Sequence, residues 1–270
     1  MEIFRMRRSS LSLLMGIACS SMTSIASADA GGWHYGVGTG FSSFSVNGDV
    51  GVPVTVKGNV PAGAVPPTGI VADVDLNNKE TSDLLDSAVG LTAFAANEDW
   101  SLTASFNKLS LKDQDSRFDA EWDKTQAEFI VAYNFARVSC NTFALQLGAR
   151  YVEHDWSADV GRIPVTGGTV RMSSDVDDHW TDVVVGIMHT RPLAKGWVWR
   201  NVANYGLGGS EGTVLAQTSV IWKPLEHWAF NASARYLSTE YGDKGDLGDS
   251  DFYYYKADEP AVGLGVNFVW

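Results

Sequence analysis

The chain is short of cysteine, of basic residues and of long apolar runs, and each shortage excludes something. It has two cysteines in 270 residues, Cys19 and Cys140. Cys19 lies in a segment expected to be removed, so the mature chain keeps Cys140 alone and forms no intrachain disulfide. Lys and Arg number 20 against 32 Asp and Glu. That balance excludes a nucleic-acid partner, because contact with phosphates requires the opposite sign. Beyond residue 30 no apolar stretch approaches the roughly 20 residues a transmembrane helix needs, which excludes a helical membrane protein.

The first thirty residues read as a secretory signal peptide. Arg5, Arg7 and Arg8 make a basic start, Leu11 to Met22 is apolar and rich in small residues, and Ala26-Ser27-Ala28 and Ala28-Asp29-Ala30 both offer small-x-small cleavage. Acylation at Cys19 is disfavoured, since Gly16 stands three residues before it where a lipoprotein signal has Leu. The mature domain is therefore expected over residues 31–270. Removing residues 1–30 takes three basic and two acidic residues, leaving 17 against 30 and a net charge of −13.

What the chain has in abundance is aromatics and glycine: Trp 10, Tyr 9, Phe 12 and Gly 27. With few helical periods, such a composition favours many short strands. Strands are expected at 33–46, 83–96, 100–112, 123–136, 143–157, 178–191, 197–207, 213–223, 228–241 and 255–270, a count of ten with eight or twelve as alternatives. The period-two pattern is strict. Ala127, Phe129, Val131, Tyr133 and Phe135 alternate with Glu128, Ile130, Ala132 and Asn134. Phe143, Leu145, Leu147, Ala149 and Tyr151 alternate with Ala144, Gln146, Gly148 and Arg150, and the same holds over 228–236 and 261–270. A soluble sandwich would also alternate, but its polar face would be rich in Lys, Glu and Thr. Here that face is Gly, Ala, Ser, Asn and Gln with occasional Arg, which suits a confined interior. The fold class expected is all-β, a closed antiparallel transmembrane β-barrel with lipid outside and a polar lumen.

Aromatics gather at strand ends, among them Trp33, Trp100, Tyr151, Trp197, Trp222, Trp228 and Trp270, as girdles at the two membrane–water interfaces would. Short turns at 97–99, 137–142, 191–196 and 224–227 alternate with longer polar stretches at 47–82, 112–122, 158–177 and 242–254. These long stretches are expected to be outer loops, the first irregular because it holds Pro53, Pro61, Pro66 and Pro67. The link from Gly206 to Gly212 is the exception, too short for an outer loop. The closing strand Val262 to Trp270 resembles the C-terminal signal by which outer-membrane barrels are recognised for insertion. From Trp197 onward the chain resembles a broad set of small Gram-negative outer-membrane β-barrel proteins, the opacity-type and porin-like group. The matching elements are Gly206-Leu207-Gly208-Gly209-Ser210, Ala234-Arg235-Tyr236-Leu237, a Gly/Asp-rich loop, and Val262 to Phe268. The resemblance implies location in the bacterial outer membrane, contact with its lipid and lipopolysaccharide, and recognition by the barrel-assembly machinery through the strand ending at Trp270. It covers about the last quarter of the chain and is nearly silent on activity.

No enzyme chemistry rises above background, and no cofactor is expected. Asp73-Val74-Asp75 and Asp177-Asp178-His179 are the acidic and His groupings an outer-membrane hydrolase, omptin-like or lipid A-modifying, would draw on. They fall in the first and third outer loops, which does not match the omptin arrangement. His154 and Asp155 are neighbours on a strand and point to opposite faces, so they make no acid–base pair. Acidic residues recur at Asp113, Asp115, Asp119 and Asp123 and at Asp243, Asp246, Asp249 and Asp251, without the glycine and glutamate of an EF-hand. These loops are candidates for weak divalent-cation binding shared with lipopolysaccharide phosphates.

The lumen is the more informative place. With apolar faces toward lipid, Glu128, Arg150, Arg200 and Arg235 point inward, with Asp182 and Asp86 beside them. Asn107, Asn134, Gln146, Asn204, Gln217 and Asn231 join them. Such charges must be paired or hydrated. A closed network makes the interior a plug, and a hydrated one makes a narrow pore biased toward anions. The packed interior is favoured, and with it a structural or surface-interaction role.

Overall fold

The computed structural model of the protein describes residues 32–58, 68–115, 118–165, 168–242 and 252–270. The expected signal peptide over 1–30 lies outside the described residues, as do Pro61, Pro66, Pro67 and Asp243 to Asp251.

Ten strands close a ring: β1 (His34–Phe44), β5 (Leu85–Ala96), β6 (Trp100–Asp115), β7 (Phe118–Val138), β8 (Asn141–Val165), β9 (Gly168–Ala194), β10 (Trp197–Leu207), β11 (Gly212–Trp222), β12 (Trp228–Tyr241) and β13 (Tyr254–Val269). Each pairs antiparallel with its neighbour in that order, and β13 returns to β1. At the seam Gly36 faces Val269, Phe44 faces Ala261, and Trp270 and Tyr35 exchange backbone hydrogen bonds of 3.0 and 3.1 Å. Gly38 permits this closure, because a Cβ there would lie 1.8 Å from the Asn267 side chain. The strand count of ten is thus the one observed, and closure leaves the ring no open edge.

Alternation assigns the faces. Phe129, Tyr133, Phe143, Leu145, Leu147, Val183, Val185, Ile187, Val262 and Leu264 are exposed, while Ile130, Ala132, Ala144, Gln146, Val184 and Met188 are buried. A continuous exposed apolar belt of this extent would be an aggregation liability in water; around a closed barrel it is the lipid face. Above the belt, on the side away from both termini, the outward positions turn polar at Lys108, Asp123, Glu153, Asp155, Asp177 and His179.

Two expectations are corrected here. The stretches 112–122 and 158–177 are not loops: β6 pairs with β7 out to Asp115–Phe118, and β8 with β9 out to Val165–Gly168. Their polar residues cover a ladder that continues past the membrane. The described parts of 47–82, residues 47–58 and 68–82, are not irregular either. They contain β2 (Val46–Pro53), β3 (Thr55–Gly58), β4 (Gly69–Leu76) and the seven-residue α1 (Asn78–Leu84). β2 carries β1 onward along β13 in unbroken register, from Phe44–Ala261 through Ser45 N–H donating to Pro260 O to Gly51–Tyr254. β4 pairs with β2, and β3 pairs with the outer end of β9, far around the ring. The segment 46–58 therefore runs from one side of the outer mouth to the other. α1 joins β4 to β5 and packs against β1, β4 and β6. Asn77 caps it in a capping box with Glu80, and Thr81 Oγ1 donates to Phe44 O at 2.5 Å.

Candidate functional site

Apolar side chains cluster inside the barrel near both ends, with polar groups between. At the end bearing the termini, Phe94, Val198, Ile221, Ala229 and Val269 pack together. At the outer end a larger cluster joins Phe44, Val46, Val52, Leu109, Leu111, Trp122, Val152, Trp180, Tyr253 and Tyr255. Tyr253 precedes β13 and is buried in this mouth, whereas Phe252 is buried over Gly51.

His154 sits within the outer cluster and is fully buried. The rings of Trp122, Trp180, Tyr253 and Tyr255 stand edge-on to it, at centroid distances of 5.4, 5.0, 5.9 and 4.6 Å. Its Nδ1 shares a 2.6 Å hydrogen bond with Tyr253 Oη, tying the segment before β13 to β8. Beside it, buried Lys124 pairs with buried Glu259, whose carboxylate also accepts from Tyr255 Oη at 2.8 Å. The second hydrogen bond, to the same Oε1 oxygen, helps offset the cost of desolvating the buried pair. Lys124, His154, Glu259 and Tyr253 were not singled out for the lumen from sequence. Parity alone would have turned the first three inward.

The expected lumen residues separate into distinct roles. Arg150 is wholly buried; its Nε donates to Glu128 Oε2 at 2.8 Å, its Nη2 lies 2.7 Å from the same oxygen, and Nη2 also donates to Asn204 Oδ1 at 3.0 Å. Glu128 and Arg150 face each other across β7 and β8. The Glu128 side chain keeps 16% of its exposure although it points inward, so a water-sized space reaches it. Asp182 is the cross-strand neighbour of Arg150 but turns away from it. Its carboxylate accepts from Gly209 N–H at 3.2 Å, Ser210 N–H at 2.8 Å, Ser210 Oγ at 2.8 and 2.9 Å, and Thr213 Oγ1 at 2.9 Å. The short link 208–211 is thereby folded inward and clamped, which explains how an outer connection can be so brief. Gly208 holds φ +119°, a value glycine adopts at no steric cost, and a Cβ on Gly209 would meet the Thr181 backbone at 2.6 Å. Arg200 is buried in the lumen and Arg235 is half-buried there. Asp86 is exposed, because a register shift between Leu85 and Ser87 removes it from the inward row.

The acidic groupings fall elsewhere. Asp75 stands on β4 opposite Asn47, while Asp177 and His179 share the outward face of β9. His179 lies against the Tyr151 ring at 5.9 Å, and Asp178 faces the other way to accept from Tyr241 Oη at 3.0 Å. Of the acid runs proposed for cations, Asp113, Asp115, Asp119 and Asp123 share no loop but lie on the paired strands β6 and β7. Carboxylates of Glu153, Asp155 and Asp177 do approach one another within 4.8 Å on the outward face just above the belt. Asp123, Asp155 and Asp177 are direct cross-strand neighbours. Partial burial, then Asp177, Glu153 and Asp123, raise the Asp155 carboxyl above the ordinary range. A raised folded-state value means the folded barrel holds this proton more tightly than the unfolded chain. The stabilisation is present at low pH and is lost as pH rises through the raised value. Asp155→Asn should therefore stabilise the barrel at neutral pH and flatten its gain on acidification. Denaturant midpoints taken at neutral and mildly acid pH, without divalent cations, test this; a lower midpoint for the variant at neutral pH would contradict it.

These features define the chain as a transmembrane β-barrel of the outer-membrane type. No family model matches it, and no curated protein does. Solved structures similar to it are outer-membrane barrels. The attachment invasion locus protein Ail of Yersinia pestis is 11% identical over 88% of this chain and 98% of its own, with a TM-score of 0.34. The translocator domain of the autotransporter NalP from Neisseria meningitidis is 12% identical over 90% of each chain, with a TM-score of 0.44. The outer membrane protease OmpT from Escherichia coli is 8% identical over 88% of this chain and 96% of its own, with a TM-score of 0.38.

Proposed function

We propose that the protein is a non-enzymatic outer-membrane barrel with a sealed lumen, whose work is done at the cell surface by the sheet that rises beyond the membrane. The observation that carries this reading is the outer seal, in which Trp122, Trp180, Tyr253 and Tyr255 close around His154 while β2 and β3 cross the mouth above. Ion passage needs a continuous hydrated path, and apolar layers at both ends interrupt it. Between them Glu128 pairs with Arg150 and Lys124 with Glu259, as buried charges in a barrel must, while buried amide atoms such as Asn107 Oδ1 and Gln146 Oε1 have no side-chain or backbone partner among the described residues. Purified barrel in a planar bilayer is expected to give no steady single-channel conductance. Steady conductance would replace this reading with a narrow pore, and anion selectivity would then assign its bias to Arg150, Arg200 and Arg235.

The partners follow from the same surfaces. The apolar belt contacts outer-membrane lipid, and the acidic collar around Glu153, Asp155 and Asp177 faces lipopolysaccharide headgroups across shared divalent cations. β13, ending at Trp270, is the strand offered to the barrel-assembly machinery. A hydrolase reading would need Asp75, Asp177 and His179 to act together, but Asp75 stands on β4 while Asp177 and His179 stand on β9.

A further inference from the structure

β4 is the last strand of the external sheet. Among the described residues, β2 is its only strand partner. The register shows which backbone groups the second edge presents. Val54 N–H donates to Thr68 O at 2.9 Å, which makes residues 54 and 68 a hydrogen-bonded pair. Counting in steps of two along the constant β2–β4 register, Ile70, Ala72, Val74 and Leu76 direct their N–H and C=O groups to β2. Val71, Asp73 and Asp75 direct theirs to the open edge.

The side chains on the outer face form a charge ladder across four strands. Glu240 is opposite Lys256, Lys256 is opposite Asp49, and Asp49 is opposite Asp73. Lys256 Nζ lies 2.9 Å from Glu240 Oε2. The signs run negative, positive, negative, negative, so alternation fails at the last rung, where like charges oppose each other at a cost. In the next row Asp258, Asn47 and Asp75 follow one another, again ending on an exposed carboxylate at the edge. The inner face of β4 is occupied, since Val74 and Leu76 pack on the outer core. Edge, outward backbone groups and uncompensated carboxylates thus coincide at Asp73 and Asp75.

We propose that the β4 edge binds an extended peptide segment by strand addition, and that the segment carries Lys or Arg at alternate positions opposite Asp73 and Asp75. Main-chain hydrogen bonds to Val71, Asp73 and Asp75 supply the pairing, and the two cations continue the interrupted ladder. A second copy of this chain is disfavoured at the site, because it would set Asp73 and Asp75 against their own like. The inference rests on reading the external sheet as the working surface, and it names that surface's partner.

The test uses the full barrel in detergent micelles and fluorescence anisotropy with short labelled peptides. One alternates Lys with Thr or Val, one replaces each Lys by Glu, and one is the Lys peptide N-methylated at every second amide. The Lys peptide is expected to bind saturably, less tightly as salt rises. N-methylation, which removes strand donors but keeps charge, is expected to cost about tenfold or more. The D73K/D75K double variant, checked for folding by its heat-dependent gel mobility, should prefer the Glu peptide. Equal binding of the methylated peptide would reduce the effect to charge adsorption and overturn strand addition. Unchanged preference in the variant would place binding elsewhere, and no binding up to about 1 mM would remove the proposal. A conducting barrel that still binds removes only the sealed-lumen reading; a silent barrel that does not bind removes only this one.

Discussion

Glu128→Ala is expected to lower the stability of the folded barrel by about 3–5 kcal/mol. The reason is the group left behind. Arg150 is wholly buried and takes its charge compensation from Glu128, with Asn204 as a neutral third member. Alanine removes the carboxylate and leaves a buried guanidinium with one amide oxygen as its acceptor. The residual 16% exposure of Glu128 lets some water relieve the charge, which places the expected value at the low end of that range. Replacing both partners together, Glu128→Leu with Arg150→Met, should cost less than the single change, because an apolar pair leaves no orphaned charge. Guanidinium unfolding in micelles, followed by tryptophan fluorescence, measures both. A Glu128→Ala barrel as stable as the parent would mean that Arg150 is hydrated in place, which would also reopen the pore reading.

That prediction depends on a feature that was legible in the sequence only by half. Period-two alternation over 127–135 and 143–151 sets Glu128 and Arg150 on the inner face, and with short turns between strands it yields ten strands and their order. Alternation carries no information on partners. It set Asp182 beside Arg150, and the fold turned that carboxylate onto Ser210 and Thr213 instead. It set Asp86 inward, and a local register shift put it outside. The external hairpins of β6 to β9 read as loops because Asp, Ser and Gly crowd 112–121 and 158–175, leaving only scattered apolar residues such as Trp122, Val170 and Val176 on the inner face, too few to show alternation. The surroundings of His154 were illegible for another reason. Its partner Tyr253 lies 99 residues away, across a contact that only ring closure creates.

Asp182→Ala is expected to cost about 3–5 kcal/mol, since hydrogen bonds to a charged acceptor contribute roughly 1.5–3 kcal/mol each and are not additive. Four donors converge on this carboxylate: the N–H groups of Gly209 and Ser210 and the hydroxyls of Ser210 and Thr213. Without it the two backbone donors of the link lose their acceptor, and the link has no other reason to fold into the lumen mouth. Proteolysis within 208–211 should then become fast, while the rest of β10 and β11 stays protected by the ladder from Trp197–Trp222 to Gly206–Thr213. Asp182→Asn keeps one acceptor oxygen but turns a donor toward hydroxyls that must then reverse, so it should lie between parent and alanine in both measurements. Asp86→Ala, which removes an exposed carboxylate of the same nominal inward row, should change stability by no more than about 0.5 kcal/mol. If the Asp182 and Asp86 variants behave alike, the clamp on the link is not what holds it. The short connection between β10 and β11 would then owe its shape to Gly208 and Gly209 alone.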